Sequence, residues 1–339
     1  MPRMDHEFVV LGHGSGGLLT YRLLDQFVFK ALGSDSMKAA HDGALLNLSG
    51  KIAFTTDSFV VSPVFFPGGN IGDLAVNGTV NDLAMCGAIP ESLSLSFILE
   101  EGLRMEEFWI ILQSIKRACG EAGVEIVTGD TKVVEKGKGD QIFINTTGIG
   151  KLHHGANIHP QNIRKGDRII ASGCIATHGV AVLSVREGLT FETSLKSDSA
   201  PLHDVVLPML DEYKCDVHLL RDPTRGGVAS ALNEVARSCG LGIQIDESAL
   251  PLEDEVKGAC EMLGLDPLYV ANEGIFLAIV EGSQVDAMLE LLHKLPKGQR
   301  AAVIGEVTED HPGQVVLEGS VGGRRVVNML TGDQLPRIC

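Results

Sequence analysis

The sequence has no paired-cysteine motif, no long apolar run and few aromatic or basic side chains, and each shortage excludes a class of protein. Its seven cysteines, at positions 86, 119, 174, 215, 239, 260 and 339, include no C-x-x-C pair and are odd in number. That usage fits reduced thiols in a cytoplasmic protein, not a disulfide framework or a zinc site. No apolar stretch approaches the roughly 20 residues that span a bilayer, and nothing resembles a secretory signal. Aromatic residues make up 5% of the chain, so the core must be mainly aliphatic. Lys and Arg number 28 against 44 Asp and Glu, a net charge of −16. This balance excludes nucleic acid and anionic membrane as main partners. A G-x-x-x-x-G-K-[ST] stretch is also missing, which removes a P-loop nucleotide site.

What the chain does contain is length for two ordinary domains and 40 glycines, many of them in turns. A short apolar run, Phe8 to Leu11, leads into Gly12-His13-Gly14-Ser15-Gly16-Gly17, and Leu19, Leu23, Leu24, Phe27, Val28 and Leu32 follow at helical spacing. The glycines match G-x-G-x-x-G in form. A dinucleotide fold, however, needs a second strand ending in an acidic residue, and Asp35 instead follows Gly33-Ser34 in a polar loop. A loop whose backbone N–H groups meet phosphates, through Gly14, Gly16 and Gly17, is the better reading.

Further along, Lys51 to Thr56 reads as a strand that ends at Asp57, and Ile71 to Cys86 as a helix carrying Asn81 and Asp82. Leu93, Leu95, Phe97 and Leu99 alternate with serines, which predicts a strand with one covered face and one free to meet another chain. Met105 to Ala122 is an amphipathic helix closed by Gly123. Val124 to Thr128 is a strand leading into Gly129-Asp130-Thr131-Lys132, and Gln141 to Ile149 is another strand. The polar stretch from Lys151 to Asp167 marks a boundary, after which strands and helices alternate again. The expected division is 1–152, 153–323 and an arm over 324–339. Arg324, Arg325 and Arg337 stand in that arm against Asp333 alone, and it closes on Pro336-Arg337-Ile338-Cys339. From Val326 onward it could reach roughly 45 Å if extended, far enough for its thiol to visit two places.

Asp57, Asp82 and Asp130 end or follow ordered elements beside Gly, Asn or Thr. Each alone reads better as a cap or turn carboxylate. Together, in a domain that opens with a phosphate-type loop, they suit magnesium and ATP. Lys132 could pair with a phosphate or lie on the surface. Arg221-Asp222-Pro223-Thr224-Arg225-Gly226-Gly227 opens a helix whose free N–H groups favour an anion, with Arg225 and Gly226 as candidates. Glu273, between Asn272 and Gly274, is placed to act as a general base, and His178 is either catalytic or a bonded loop histidine.

Gly12 to Gly17, Thr55-Thr56-Asp57-Ser58, Asn81-Asp82-Leu83-Ala84, Thr128 to Lys132, Arg221 to Gly227 and the terminal Pro336 to Cys339 together resemble the HypE family of hydrogenase maturation factors. The likeness runs from the glycine loop to the last residue. It implies a two-domain PurM-like α/β (α+β) fold, with an N-terminal sheet pairing across a homodimer, a C-terminal α/β domain and a flexible tail. It also implies ATP and magnesium, with Asp57, Asp82 and Asp130 among the metal ligands and Asn81, Thr131, Arg225 and Gly226 near the nucleotide. The implied activity is ATP-dependent dehydration of a carbamoyl group on Cys339 to a thiocyanate. Glu273, Lys132 and His178 would assist. A HypF-type carbamoyltransferase would load the thiol, and an iron-carrying HypC–HypD-type scaffold would take the cyanide for a [NiFe]-hydrogenase. Two other readings stand beside it: an enzyme of the same superfamily acting on a free metabolite, and a non-catalytic carrier that presents Cys339.

Overall fold

The computed structural model describes residues 1–33, 43–188 and 195–330. Two sheets organise it, beside a two-stranded ladder of β2 (Phe65–Phe66) and β3 (Gly69–Asn70). The first has four strands in the order β1 (Ile52–Phe59), β6 (Ile142–Leu152), β4 (Ala88–Glu100), β5 (Glu125–Val134). Only β4 and β5 run parallel, and the helix Met105–Ala122 connects them as a crossover. On β4 the odd-numbered Leu93, Leu95, Phe97 and Leu99 are buried, as the two-residue alternation predicts.

The helix Ile71–Met85 is buried along nearly its whole length, because it has a different neighbour at each end. Leu74, Ala75 and Val80 pack under the first sheet, while Ala84 and Met85 join Leu202, Val206, Met209 and Leu210 of the second half. Its start is fixed by reciprocal caps. The Asn70 side chain accepts the Gly72 N–H at 2.8 Å, and Asp73 accepts the Asn70 N–H at 2.9 Å. Such a cap is worth about 1 kcal/mol.

The second sheet has seven strands in the order β13 (Arg324–Val327), β12 (Val315–Glu318), β9 (Gly242–Asp246), β11 (Ala302–Thr308), β7 (Arg168–Ala171), β10 (Leu277–Val280), β8 (Val217–Arg221). Leu219, Leu277, Ile279, Ile243 and Ile304 form its core with the helix Gly227–Cys239.

Four details differ from the expectations above. The arm does not begin at residue 324. Arg324 to Val327 pair antiparallel with β12 as an edge strand, and Val327 is fully buried in the core. Asp57 lies inside β1, two residues before its end, and Asp130 to Lys132 belong to strand β5. In both places pairing with a neighbour prolongs the strand beyond its apolar run. Finally, His178 sits in the first turn of the helix Thr177–Arg186, not in a loop. Residues 331–339, including Cys339, and Asp35 lie outside the described residues.

Candidate active site

The glycine loop folds as a short 3-10 turn, Leu11–Gly14, against the edge strand β5. A Cβ on Gly14 would fall 2.6 Å from the Val133 amide nitrogen, so only glycine permits this approach. Between loop, first helix and strand lies a cavity of about 290 Å³. Gly14, Gly16, Asp130, Thr131 and Lys132 provide its polar rim, while Leu24, Val28, Phe29 and Leu32 give an apolar wall. Gly17 caps the helix Leu18–Leu23. Asp130 is held to Lys132 at 2.7 Å, and that hydrogen bond is the main reason its carboxyl lies below the usual range.

The three aspartates expected to share a metal do not meet within one chain. Strand β1 carries Asp57 and strand β5 carries Asp130, and these are opposite edges of the sheet, three strand spacings or about 14 Å apart. They also point to opposite faces. Asp130 stands opposite Ser96, Ser96 opposite Asn145 and Asn145 opposite Ser58, so Asp130 shares the face of Ser58 and not that of Asp57. Asp57 instead faces the helix Ile71–Met85 and its Asp82, whose carboxylate accepts the Thr55 hydroxyl at 2.7 Å.

A different third carboxylate joins them. Asp222, on the loop before the helix Gly227–Cys239, feels the charge of both Asp82 and Asp57. Burial first, and then Asp82, pushes its carboxyl up to about 6. Burial likewise raises Asp82, against the Thr55 hydrogen bond and the nearby Arg221 and Arg225. Asp57, Asp82 and Asp222, drawn from both halves of the chain, thus lie within reach of one another's charge, although their oxygens do not all approach within 4.8 Å. Arg221 is itself paired with Glu234. Gly226, with φ of 72°, makes the left-handed turn into that helix. Sequence reasoning missed Asp222 as a metal candidate, although it read the motif as an anion site; only the sheet-to-helix packing shows its partners.

Glu273 is buried, in the loop before β10. Its carbonyl accepts from the Asn81 amide at 3.3 Å, and that amide also donates to Ala200 O at 3.1 Å, while Asn81 Oδ1 accepts the Leu202 N–H at 2.8 Å. Asn81 thus ties the helix of Asp82 to the loop of Glu273; it does not hold out its amide as a nucleotide ligand. His178 is fully buried, bonded through Nδ1 to the Ser197 hydroxyl at 2.8 Å and packed edge-on against Phe66. That position makes it a support of the site.

The six described cysteines are free thiols. Burial pushes Cys119 up to about 12, and burial with Asp266 pushes Cys260 up to about 11. A thiol alkylates as its thiolate, so raising the pH only to 8 leaves these two in the unreactive form. Iodoacetamide at pH 8, followed by peptide mapping of the folded protein, should leave Cys119 and Cys260 unmodified while Cys215, which is exposed, reacts.

Two α+β modules, each carrying part of one acidic cleft, define the class of the protein. Models of the AIR synthase related proteins match it, the N-terminal domain over residues 40–152 and the C-terminal domain over 164–318. The carbamoyl dehydratase HypE of Rhizobium leguminosarum bv. viciae is 49% identical over 330 residues, covering 97% of this chain and 94% of that protein. The crystal structure of hydrogenase maturation protein HypE in complex with ATP superposes with a TM-score of 0.94 at 45% identity, over 97% of this chain and 99% of that one. HypE in the HypE–HypF complex superposes at 0.80, with 44% identity over 93% and 100%. The chain belongs to the HypE family of carbamoyl dehydratases.

Proposed function

We propose that the protein uses ATP to remove water from an S-carbamoyl group on its own Cys339. The product is an S-thiocyanate that supplies cyanide to the iron of a [NiFe]-hydrogenase under assembly. The observation that carries this reading is the tie from Asn81 to Glu273. It sets a carboxylate cluster and a buried carboxylate at the two ends of one contact, in a chain that is 49% identical to a carbamoyl dehydratase.

The chemistry needs both ends. An amide oxygen is a poor leaving group until the γ-phosphoryl of ATP is transferred to it. The nitrogen then gives up its two protons, one at each stage, as phosphate departs and the C≡N bond forms. Glu273 is proposed to accept these protons. Arg225 would offset charge on the phosphates beside the acidic residues, while Lys132 and the N–H groups of the glycine loop, at the opposite edge of the sheet, would reach them from the second copy of a dimer. Hard carboxylate oxygens suit a magnesium ion that keeps part of its water, and Asp57, Asp82 and Asp222, which share one another's charge, are the residues that would hold it. Magnesium when bound would neutralise phosphate charge.

A homodimer completes the reading. The open face of the first sheet presents Phe54 at 70% exposure, with Ile52 and Ile98 also exposed, among Thr56, Asn145 and Thr147. A second copy stacked there would cover the apolar side chains and the Asp130–Lys132 pair together. Phe54→Asp should convert the dimer to monomer in light scattering; an unchanged mass would place the interface elsewhere. The HypE–HypF complex supports loading by a HypF-type carbamoyltransferase. Delivery to an iron-carrying HypC–HypD-type scaffold, and work in the cytoplasm, belong to the same proposal. No described helix is long and apolar enough to cross a membrane.

The test is stoichiometry. Carbamoylated protein given ATP should release one ADP and one phosphate per tail converted, and uncarbamoylated protein should release far less. ATP turnover that ignores the state of the tail would favour an enzyme acting on a free metabolite.

A further inference from the structure

We infer that Asp198 is the positioning residue of the dehydration step, acting through the backbone of Glu273. The inference rests on Glu273 being the base. The Asp198 carboxylate is divided between two consecutive amides: Oδ1 accepts the Glu273 N–H at 3.3 Å and Oδ2 accepts the Gly274 N–H at 3.2 Å. From the other side the Glu273 carbonyl is met by the Asn81 amide and, at 3.5 Å, by the Ala200 N–H. The peptide groups on both sides of the Glu273 Cα are therefore fixed, and the side chain leaves from a set point.

Packing holds the loop just beyond this point, where Ile275 and Phe276 enter the core. The far side of the loop, at Gly274 and Ile275, borders an open cavity of about 810 Å³ that Asp198 also lines. On the cavity side the loop is held by the two Asp198 hydrogen bonds. The approach is close enough that a Cβ on Gly274 would fall 1.7 Å from the Asp198 carbonyl oxygen, so residue 274 has to be glycine for the clamp to form. The clamp is anchored in turn. Ser197 bonds His178 and donates its N–H to Pro67 O at 2.8 Å, and Ser199 accepts the Asn77 amide at 3.1 Å. One four-residue segment, 197–200, thus joins Glu273, His178 and the helix that carries Asp82.

The experiment is a double-mutant cycle on full-length carbamoylated protein, with Asp198→Asn, Glu273→Gln and both together. Asn keeps one acceptor but presents an NH2 to the second amide, so the clamp is half broken. Asp198→Asn should slow dehydration between tenfold and a hundredfold, as small misplacements of a catalytic group do, with the KM for ATP unchanged. The double variant should be no slower than Glu273→Gln alone, since there is then no base left to position. Full-rate Asp198→Asn beside a slow Glu273→Gln overturns the positioning role and leaves the base assignment standing. Effects that multiply in the double variant overturn it as well. Full-rate Glu273→Gln removes the base assignment, and the positioning role with it. If Asp198→Asn does not fold, Asp198→Glu takes its place, with a slowed rate expected and a wild-type rate contradicting the proposal.

Discussion

Replacing Cys339 with serine should leave a protein that still binds ATP and yields no thiocyanate at all. A serine hydroxyl is barely ionised at neutral pH, whereas a cysteine thiol is partly thiolate and intrinsically a strong nucleophile, so the carbamoyl group would not be loaded. Three of the six described thiols are poor stand-ins for it. Cys119 and Cys260 hold their protons up to about 12 and 11, and Cys86 is also raised, by burial and by Asp82 and Asp222. The chain itself points the same way. Leu330, the last described residue, lies beside Gly226, four residues after Asp222, and nine residues follow it. Nine residues can span about 30 Å, enough to reach the cleft or a partner. The measurement is thiocyanate formed per mole of protein together with ATP affinity. Normal product from Cys339→Ser would refute the carrier role.

Glu273→Gln is expected to have the second largest effect, slowing the chemical step by about a hundredfold to ten-thousandfold. Gln matches Glu in shape, and the contacts that fix residue 273 to Asp198, Asn81 and Ala200 are made by its backbone. The loss would therefore be chemical, with folding and ATP affinity preserved. Single-turnover conversion of pre-carbamoylated protein separates this from slow loading. A drop confined to KM would make Glu273 a binding group and not a base.

How much of this was legible in the sequence depends on how far apart the contributing residues lie. The helices 71–85 and 105–122 and the alternation on β4 follow from periods of three to four and of two, which are local. The grouping of Asp57 with Asp130 failed because face and edge are decided by pairing: three ladder registers must be known before Asp130 is seen to point away from Asp57. Asp222 was visible only as a neighbour of arginines, since its partners, Asp82 on a helix and Asp57 on a strand, come 140 and 165 positions earlier in the chain. Arg324 and Arg325 look like a basic arm because four residues are too few to show a strand's alternation; the β12 hairpin makes them one, with Arg324 paired to Glu318 and Arg325 to Asp266. Asp198 left no signal at all, for a Ser-Asp-Ser stretch is what any polar loop contains. The short motifs identified the family because they are contiguous; the roles within them are set by contacts across domains.

The central claim is that water leaves from the tail of this chain at the expense of ATP. The most direct measurement is the mass of the C-terminal peptide from carbamoylated protein before and after magnesium and ATP are added. Loss of the mass of one water at Cys339, absent when ATP is withheld, is the predicted result. An unchanged carbamoyl adduct in the presence of ATP would contradict it.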